Sequence, residues 1–400
     1  METTATPKHG VREIFALYGP EYRKEHKLPE QQRKAMYALE NCRTAALGGH
    51  VDQCEHCGYT HTFYNSCRNR HCPLCQKLNG EKWADKLGET LLPVRYFHVV
   101  FTIPCELNRL ALVNQEVVYN ILFKAASQTI LTLAKDPKHH GVISGLIAVL
   151  HTWGQNLMDH PHLHTIVPAG GWSEMAQCWK PTSKKFFVAG KVMSLMFRGK
   201  FLAFLKEAYN EKQFKFAGEI KSIESKTEFK KFLNVLYEKK WVVNCETSFK
   251  GPTNIVKYLA RYTHRVAIDN SRILSVENDN VNFLWKDYKN HGLTKPMQLA
   301  APEFIRRFLL HILPKGFCKI RYYGIFASRN RAALLSKCRT AIGKPMTASK
   351  YKGLTWQEVL FKACGVNVTQ CPACLIGKMK IILVMENFRG PPKTNPANVL

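Results

Sequence analysis

Acidic residues are scarce in this chain of 400 residues. Asp and Glu together number 30 against 58 Lys and Arg, which gives a formal net charge of +28 at pH 7. The chain is nevertheless 46% hydrophobic, which excludes a wholly disordered basic tail. An excess of this size calls for a polyanionic partner, of which nucleic acid is the first candidate and an anionic membrane surface the second.

Long apolar runs and several familiar motifs are also missing from the sequence. The most apolar stretch, residues 117–134, carries Lys124, Ser127 and Gln128, so it predicts a buried amphipathic helix and no membrane span. The first residues, METTATPKHGVREIF, lack an apolar segment, and we therefore expect no secretory signal and a cytoplasmic protein. Reduced thiols are expected in that compartment, where clustered cysteines more often bind metal than form disulfides.

Two classes of enzyme are excluded because their characteristic motifs are absent from the sequence. No G-x-x-x-x-G-K-[ST] motif occurs, which argues against an ATPase or helicase motor. The few carboxylates near the motifs described below are not paired, so no acidic catalytic triad is predicted.

Strand-like and helical segments alternate along the middle of the chain. The β-branched and aromatic runs 95–104, 142–153 and 162–167 predict buried strands, and 106–134 predicts a helix. The pattern favours an α+β fold, with a sheet domain between two small modules. The predicted domains span residues 1–92, 93–335 (with a basic helical insertion at about 185–240) and 336–400.

Cysteine spacing predicts a structural zinc site near the N-terminus. Cys54, Cys57, Cys72 and Cys75 form two C-x2-C pairs, an arrangement that can present four thiolates to one tetrahedral Zn²⁺. Cys42, Cys67 and His71 lie nearby, and we interpret them as buried thiols and a supporting imidazole in preference to a second metal site.

Two further features surround these cysteines. Asn65, Arg68, Asn69 and Arg70 lie between the pairs and suit contacts with phosphates and base edges, although a folding role alone is the alternative. A distant pair, Cys371 and Cys374, resembles half of another zinc site. Its candidate partners, Cys338 and Cys364, are irregularly spaced, so the sequence leaves this second site open.

His162-Leu163-His164 is the candidate catalytic metal site. Alternate residues of a strand share one face, so both imidazoles can bind one ion while Leu163 points into the core. We predict Gln155, on the preceding strand, as the third ligand because hairpin pairing would bring it beside His162. His151 is the second choice, and Asp159 or His160 would need a tighter turn.

Tyr258 and Tyr262 are the candidate nucleophiles. Their i, i+4 spacing puts both phenols on one face of a helix. A tyrosine oxygen can attack a phosphodiester, keeping the bond energy for rejoining, and a divalent metal would neutralise the developing charge. Lys257, Arg261 and Arg265 would add cationic donors, whereas core packing is the plain alternative.

Four runs of the sequence carry a resemblance to a known family. YNSCRNRHCPLCQ (64–76), HPHLHTIVPAGG (160–171), YLARYTHRVAI (258–268) and EFIRRFLLHILPKGFCKIRYYG (303–324) resemble the two-tyrosine, HUH-type insertion-sequence transposases of the ninety-one family. The resemblance implies a zinc-binding domain followed by a rolling-circle nuclease fold. It also implies Mg²⁺ or Mn²⁺ at His162 and His164, and cleavage of single-stranded element ends by Tyr258 and Tyr262 through 5′-phosphotyrosine links.

A basic tract follows the tyrosine segment. Residues 304–357 contain no Asp or Glu and twelve Lys or Arg, interleaved with aromatic residues. Such a composition is typical of a groove for single-stranded nucleic acid, and we predict DNA contacts from Arg306, Arg307, Lys319 and Arg321. A scattered basic surface is the alternative.

The expected partners are single-stranded DNA of the element ends and target, together with host replication or helicase proteins that separate strands. Two other functions stay open at this stage. One is a zinc-ribbon DNA-binding protein without catalysis, and the other is a replication initiator or relaxase with the same chemistry.

Overall fold

The computed structural model describes residues 10–386, except 183–186, 250, 264–266, 288–289 and 345–347. Within helices and strands, it leaves undescribed the side chains of Lys77, 247–249, Lys257, Tyr258, 260–263, Asn330 and Ala332.

The described chain combines helices with antiparallel strands, which confirms the predicted α+β class. The helices are α1 (Val11–Glu25), α2 (Glu30–Glu40), α3 (Pro73–Thr90), α4 (Asn108–Val113), α5 (Gln115–Lys135), α6 (Gly190–Asn210), α7 (Lys226–Glu238), α8 (Pro252–Thr263), α9 (Ala301–Leu310), α10 (Ser328–Asn330), α11 (Ser336–Ile342) and α12 (Trp356–Cys364). The strands are β1 (Gly49–Cys54), β2 (Thr60–Tyr64), β3 (Tyr96–Thr102), β4 (Gly145–Trp153), β5 (Asp159–Pro168), β6 (Gly170–Ser173), β7 (Cys178–Pro181), β8 (Val242–Phe249), β9 (Ile273–Glu277), β10 (Asn280–Asp287), β11 (Leu293–Ala300), β12 (Ile320–Gly324) and β13 (Met379–Met385).

The chain forms two compact units, each made of segments distant in sequence. Unit 1 contains the described residues of 1–82, 264–306 and 351–400, and unit 2 contains those of 83–263 and 307–350. The predicted C-terminal segment 336–400 is therefore divided between the two units, and its last part folds with the N-terminal residues.

Unit 2 is built on a five-stranded antiparallel sheet with the order β12-β4-β5-β3-β8. Because side chains alternate along a strand, this sheet has two distinct faces. Phe101, Leu150 and Leu163 lie on the face that packs against α5, α6 and α7. Val149 and Ile166 lie on the opposite face.

Helix α5 belongs to the core of unit 2. It is the one helix in the described part of the chain that is long and apolar enough to cross a membrane, but 67% of its most apolar window is buried inside the protein. Val118, Leu122 and Ile130 pack in the core on the first sheet face. This burial fits the prediction of an amphipathic core helix over 117–134.

Unit 1 contains two three-stranded antiparallel sheets, with the orders β13-β1-β2 and β9-β10-β11. In the first sheet, Cys54 of β1 pairs with Met379 of β13, so the pairing joins segments that are more than 300 residues apart. Helices α1 and α2 pack together and bury Ile14, Phe15 and Met36.

Candidate metal and DNA-processing site

Three histidines on neighbouring strands form a cluster on the second face of the sheet in unit 2. His151 on β4 lies directly opposite His162 on β5, and His164 follows two residues later on the same face. Their ligand nitrogens all lie within 4.8 Å of one another. The sequence correctly paired the two strands, but the residue opposite His162 is His151.

Gln155 is placed differently from its prediction. Strand β4 ends at Trp153, so Gln155 lies in the turn before β5. The predicted cross-strand contact between Gln155 and His162 is therefore wrong, since the register gives that position to His151.

The histidine cluster has the donor chemistry of a divalent metal site. The Nε2 atoms of His162 and His164 are 3.0 Å apart. Two nitrogens bound at adjacent positions about 2.1 Å from one ion would be separated by roughly 3 Å. The rings of His151 and His164 are 4.4 Å apart between centroids, so the third imidazole borders the same space.

Burial favours the neutral form of His162 and His164, as metal binding requires. Burial lowers the pKa of His162 to about 4. Burial also lowers the pKa of His164, and the neighbouring His151 adds to the effect. The cluster of three imidazoles therefore fits the divalent ion that the sequence predicted.

Helix α8 carries the two predicted tyrosines in its backbone, but the side chains of Tyr258 and Tyr262 lie outside the described residues. The same holds for the side chains of Lys257 and Arg261 and for all of Arg265. The described residues Ile255 and Leu259 of α8 are fully buried in the core that also contains Val149 and Ile166. Helix α8 thus packs on the sheet face that carries the histidines.

Two groups of four cysteines occur in unit 1, where the sequence predicted one. Cys42, Cys67, Cys72 and Cys75 form the first group, and Cys54, Cys57, Cys371 and Cys374 form the second. The prediction that the pairs 54/57 and 72/75 share one zinc is therefore wrong. Antiparallel pairing of β1 with β13 brings the distant C-terminal pair beside Cys54 instead.

The structure also corrects the roles given to the remaining cysteines. Cys42 and Cys67 are members of the first group, whereas His71 is not and instead contacts the side-chain oxygen of Asn69 at 3.2 Å. Cys338, a candidate partner of the C-terminal pair, is buried in the core of unit 2. Cys364 likewise belongs to neither group.

The sulfur geometry matches tetrahedral zinc. Neighbouring Sγ atoms are 3.5–3.6 Å apart in the first group and 3.7 Å apart in the second. Four thiolates about 2.3 Å from one Zn²⁺ would have sulfur–sulfur separations of roughly 3.8 Å, whereas a disulfide bond is about 2.05 Å long. Both groups therefore fit zinc, and neither contains a disulfide.

Backbone groups support the second cysteine group. The N–H of His56 donates to Cys54 Sγ at 3.4 Å, and the N–H of Gly377 donates to Cys374 Sγ at 3.3 Å. Hydrogen bonds from the backbone of Gly377 and Ile376 lower the pKa of Cys374 to about 6, which favours the thiolate. A Cβ atom at Gly377 would lie 2.3 Å from Cys54 Sγ, so only glycine fits there.

The polar residues between the first two cysteine pairs mainly hold the local fold. Asn65 donates from its side chain to the carbonyl of Leu47, and the side-chain oxygen of Asn69 accepts from the backbone N–H of His71. Arg68 is exposed and Arg70 is partly buried. Both asparagines therefore make internal hydrogen bonds, and the contacts of this segment with phosphates and base edges stay a prediction.

Of the four basic-tract residues predicted to bind DNA, Arg306 is exposed and the other three are partly buried. Arg306 forms a two-pronged ion pair with Glu303, and Arg307 donates to the carbonyl of Asn156. Arg321 stacks on the rings of Phe123 and Phe317 and donates to Asn120, and Lys319 is partly buried.

Other cations of the tract are exposed. The members of this set within the described residues of unit 2 are Lys315, Arg329, Lys337, Lys344 and Lys350. The aromatic residues Phe308, Phe317 and Phe326 are buried, so the expectation that they stack on bases is wrong. The basic tract therefore contributes positive charge to the surface, and these three phenylalanines contribute to the hydrophobic core.

Comparison with known sequences gives matches over nearly the whole chain. Residues 145–333 match the family described as "Putative transposase", and residues 14–103 match that described as "Transposase zinc-binding domain". A protein of Sinorhizobium fredii, "Putative transposase y4qJ", is 42% identical over 386 residues, which cover 96% of this chain and 97% of the relative. The transposase for insertion sequence element IS801 of Pseudomonas savastanoi pv. phaseolicola is 26% identical over 75% of this chain and 72% of its own length. No solved structure matches the chain significantly.

Proposed function

The chain belongs to the ninety-one (IS91) family of transposases, as its four motifs predicted, and from this premise we propose how it processes DNA. It cleaves and rejoins the single-stranded ends of an insertion sequence through 5′-phosphotyrosine intermediates, in a rolling-circle reaction. Tyr258 and Tyr262 are the nucleophiles, and His151, His162 and His164 hold the catalytic metal. The reaction takes place in the cytoplasm, on the DNA of the cell.

One observation carries the proposal: helix α8 lies on the sheet face that bears the three histidines. Ile255 and Leu259 anchor the helix in the core beneath it, in contact with the same apolar cluster as Ile166. Tyr258 immediately precedes the anchor Leu259, and Tyr262 follows it by three residues. The helix that carries both tyrosines therefore packs on the same face of the sheet as the metal donors.

The reaction step is a transesterification. The phenol oxygen of one tyrosine attacks the phosphorus and forms a Tyr–O–P ester with the 5′ end, while the bond to the 3′ oxygen breaks. The phenol proton is transferred, and the leaving 3′ oxygen ends as a hydroxyl. Because the number of phosphoester bonds is unchanged, a 3′ hydroxyl can reverse the step and rejoin the strand.

Two tyrosines allow strands to be exchanged without releasing a broken end. One tyrosine holds the 5′ end of the element while the other cleaves the second end or the target. A bound divalent cation supplies charge neutralisation at the phosphoryl oxygens. Of the two ions expected, Mn²⁺ suits three imidazole donors better than Mg²⁺, which prefers oxygen ligands.

The exposed cations of the basic tract bind the single-stranded substrate through its phosphates. Lys315, Arg329 and Lys337 are exposed members of that set. Strand separation comes from host replication or helicase proteins, since the sequence has no nucleotide-binding motif of a motor. Each cysteine group holds one structural Zn²⁺, so the chain carries two zinc ions.

Covalent capture of DNA tests the proposal. The purified chain is incubated with Mn²⁺ and single-stranded oligonucleotides that cover the DNA flanking its gene, and adducts resistant to denaturation are separated by gel. We expect adducts with the native chain and none with the double variant Tyr258→Phe, Tyr262→Phe. Mass spectrometry of the trapped peptide then identifies the attacking tyrosine.

The matched control is Tyr237→Phe, since Tyr237 is an exposed tyrosine on α7 in the same unit. The control should form adducts at the native level, and the double variant should still bind the oligonucleotide. Adducts formed by the double variant would refute the tyrosine assignment. No adduct with the native chain on any oligonucleotide would favour a DNA-binding protein without catalysis.

A further inference from the structure

Glu246 and His98 connect the exposed edge of the sheet to the metal-binding histidines. Glu246 on β8 lies directly opposite His98 on β3, and its Oε2 is 3.3 Å from His98 Nδ1. His98 Nε2 is in turn 2.8 Å from His164 Nδ1. The three side chains thus form one continuous chain of contacts across the adjacent strands β8, β3 and β5.

The chemistry of the groups fixes the direction of these hydrogen bonds. An ionised carboxylate can only accept, so His98 must present its N–H at Nδ1. His98 is 4% exposed and buried in its neutral form, so its Nε2 carries a lone pair and accepts from His164. His164 consequently carries its proton on Nδ1, and its Nε2 lone pair is left for another partner.

The other histidine of the pair is oriented in the same sense. His162 Nδ1 lies 2.6 Å from the carbonyl oxygen of His160, which can only accept a hydrogen bond. His162 therefore also has its lone pair on Nε2. The two Nε2 atoms, 3.0 Å apart, face each other with no proton between them, an arrangement that a cation stabilises and a direct hydrogen bond does not.

We propose that Glu246 and His98 are positioning residues, which hold His164 in the tautomer whose Nε2 can bind the catalytic metal. This inference rests on the proposed function, because it requires a metal at His162 and His164. Carboxylate–histidine contacts of this kind orient metal ligands in other proteins, and their loss typically weakens metal binding about 10–100-fold.

The carboxylate of Glu246 can be removed without changing the size of the side chain. Its side chain is 61% exposed, so Glu246→Gln keeps the size of the side chain and leaves the core intact. Asn244 donates to Glu246 Oε1 at 3.2 Å and holds the side chain in place. An amide can donate as well as accept, so glutamine lets His98 and then His164 adopt the opposite tautomer.

The test measures metal binding without DNA. Mn²⁺ is titrated into the full-length chain, and free Mn²⁺ is followed by electron paramagnetic resonance. We expect Glu246→Gln to weaken binding at least about 10-fold and His98→Leu up to about 100-fold. The matched control, Glu238→Gln on the exposed end of α7, should bind like the native chain.

A second readout follows the tautomer itself. Long-range ¹H–¹⁵N spectra of the metal-free, histidine-labelled chain should show His164 protonated on Nδ1 in the native protein and on Nε2 in a large fraction of Glu246→Gln. Because this readout needs no metal, it separates the effect on His164 from general instability. Circular dichroism checks that each variant is folded.

The possible results distinguish the two proposals. Native Mn²⁺ affinity together with an unchanged His164 tautomer in Glu246→Gln would overturn the positioning role, while the proposed function would stand. If the native chain itself bound no Mn²⁺, or bound it equally well after His162→Ala, the metal site of the proposed function would fail first.

Discussion

The register between β4 and β5 determines which residue supplies the third imidazole of the proposed metal site. The hairpin of β4 and β5 places His151 directly opposite His162, whereas Gln155 lies beyond the end of β4. His151 is 3% exposed, and its ring borders both other histidines.

We therefore expect His151→Ala and Gln155→Ala to differ sharply. Loss of a direct ligand should cost more than the 10–100-fold that a supporting contact costs, so His151→Ala should weaken Mn²⁺ binding by more than about 100-fold. Gln155→Ala, the control, should change it less than about twofold. Mn²⁺ titration of the DNA-free chain measures both. The opposite ranking would restore Gln155 as the ligand.

Local motifs identified the chemistry of the site but not all of its members. The pair His162 and His164 and each C-x2-C pair could be predicted because the ligands are two or three residues apart. His98 could not, since its role depends on its position beside β5 and β8. Its isolated place in an apolar strand gave only the weak signal of one buried histidine.

At the scale of elements, alternation of apolar residues predicted the central strands well. The predicted strand 142–153 corresponds to β4, and the predicted strand 162–167 lies within β5, which begins earlier at Asp159. The difference arises because residues 159–161 are Asp, His and Pro, which do not resemble an apolar strand, although Asp159 already pairs with Trp153 of β4. Polar residues at a functional strand end conceal the strand from a pattern based on hydrophobicity.

The pairing of β1 with β13 could not be predicted, because it joins segments far apart in the chain. Spacing alone favoured a site built from Cys54, Cys57, Cys72 and Cys75. The strand pairing instead brings Cys371 and Cys374 to Cys54 and Cys57, which leaves the other pair to Cys42 and Cys67. The strand that pairs with β1 therefore determines which cysteines lie close together.

Removing the C-terminal cysteines tests this grouping. The variant Cys371→Ser, Cys374→Ser should contain one zinc per chain, against two in the native protein, because only the second group loses ligands. Elemental analysis after gel filtration gives the number. Cys364→Ser is the control and should retain two, since Cys364 belongs to neither group.

The same variant should also be less stable in unit 1. A structural zinc contributes its binding free energy to folding, so the β13-β1 pairing should open more readily without it. Hydrogen exchange at the paired residues of β1, such as Val51, reports this opening. A double variant that kept two zinc ions and native exchange would contradict the grouping.

At the scale of the whole molecule, the question is which of the basic side chains behind the net charge of +28 are exposed. The absence of acidic residues from 304–357 does not mean that every cation there is available, because Arg307 and Arg321 are partly buried and donate hydrogen bonds within the protein. The composition gives the sign of the charge and the region where acidic residues are absent, but only the fold separates exposed cations from those used internally.

The salt dependence of single-strand binding tests whether the exposed cations of the basic tract contact the DNA. Each phosphate neutralised on a single strand contributes about −0.7 to the slope of log binding constant against log salt concentration. Substitution of the exposed Lys315, Arg329 and Lys337 by Gln should make the slope less steep by roughly 2. Fluorescence anisotropy with a labelled oligonucleotide measures it, with the metal omitted so that no cleavage occurs.

The matched control removes the same charge elsewhere in unit 2. Lys206, Lys230 and Lys240 are exposed, two of them on α6 and α7 and the third just after α7. Their substitution by Gln lowers the net charge equally, so it isolates the effect of position from that of total charge. If both triple variants changed the slope alike, binding would depend on the overall field of the protein and the basic tract would have no special role. A change confined to the first variant would show that the strand follows the tract.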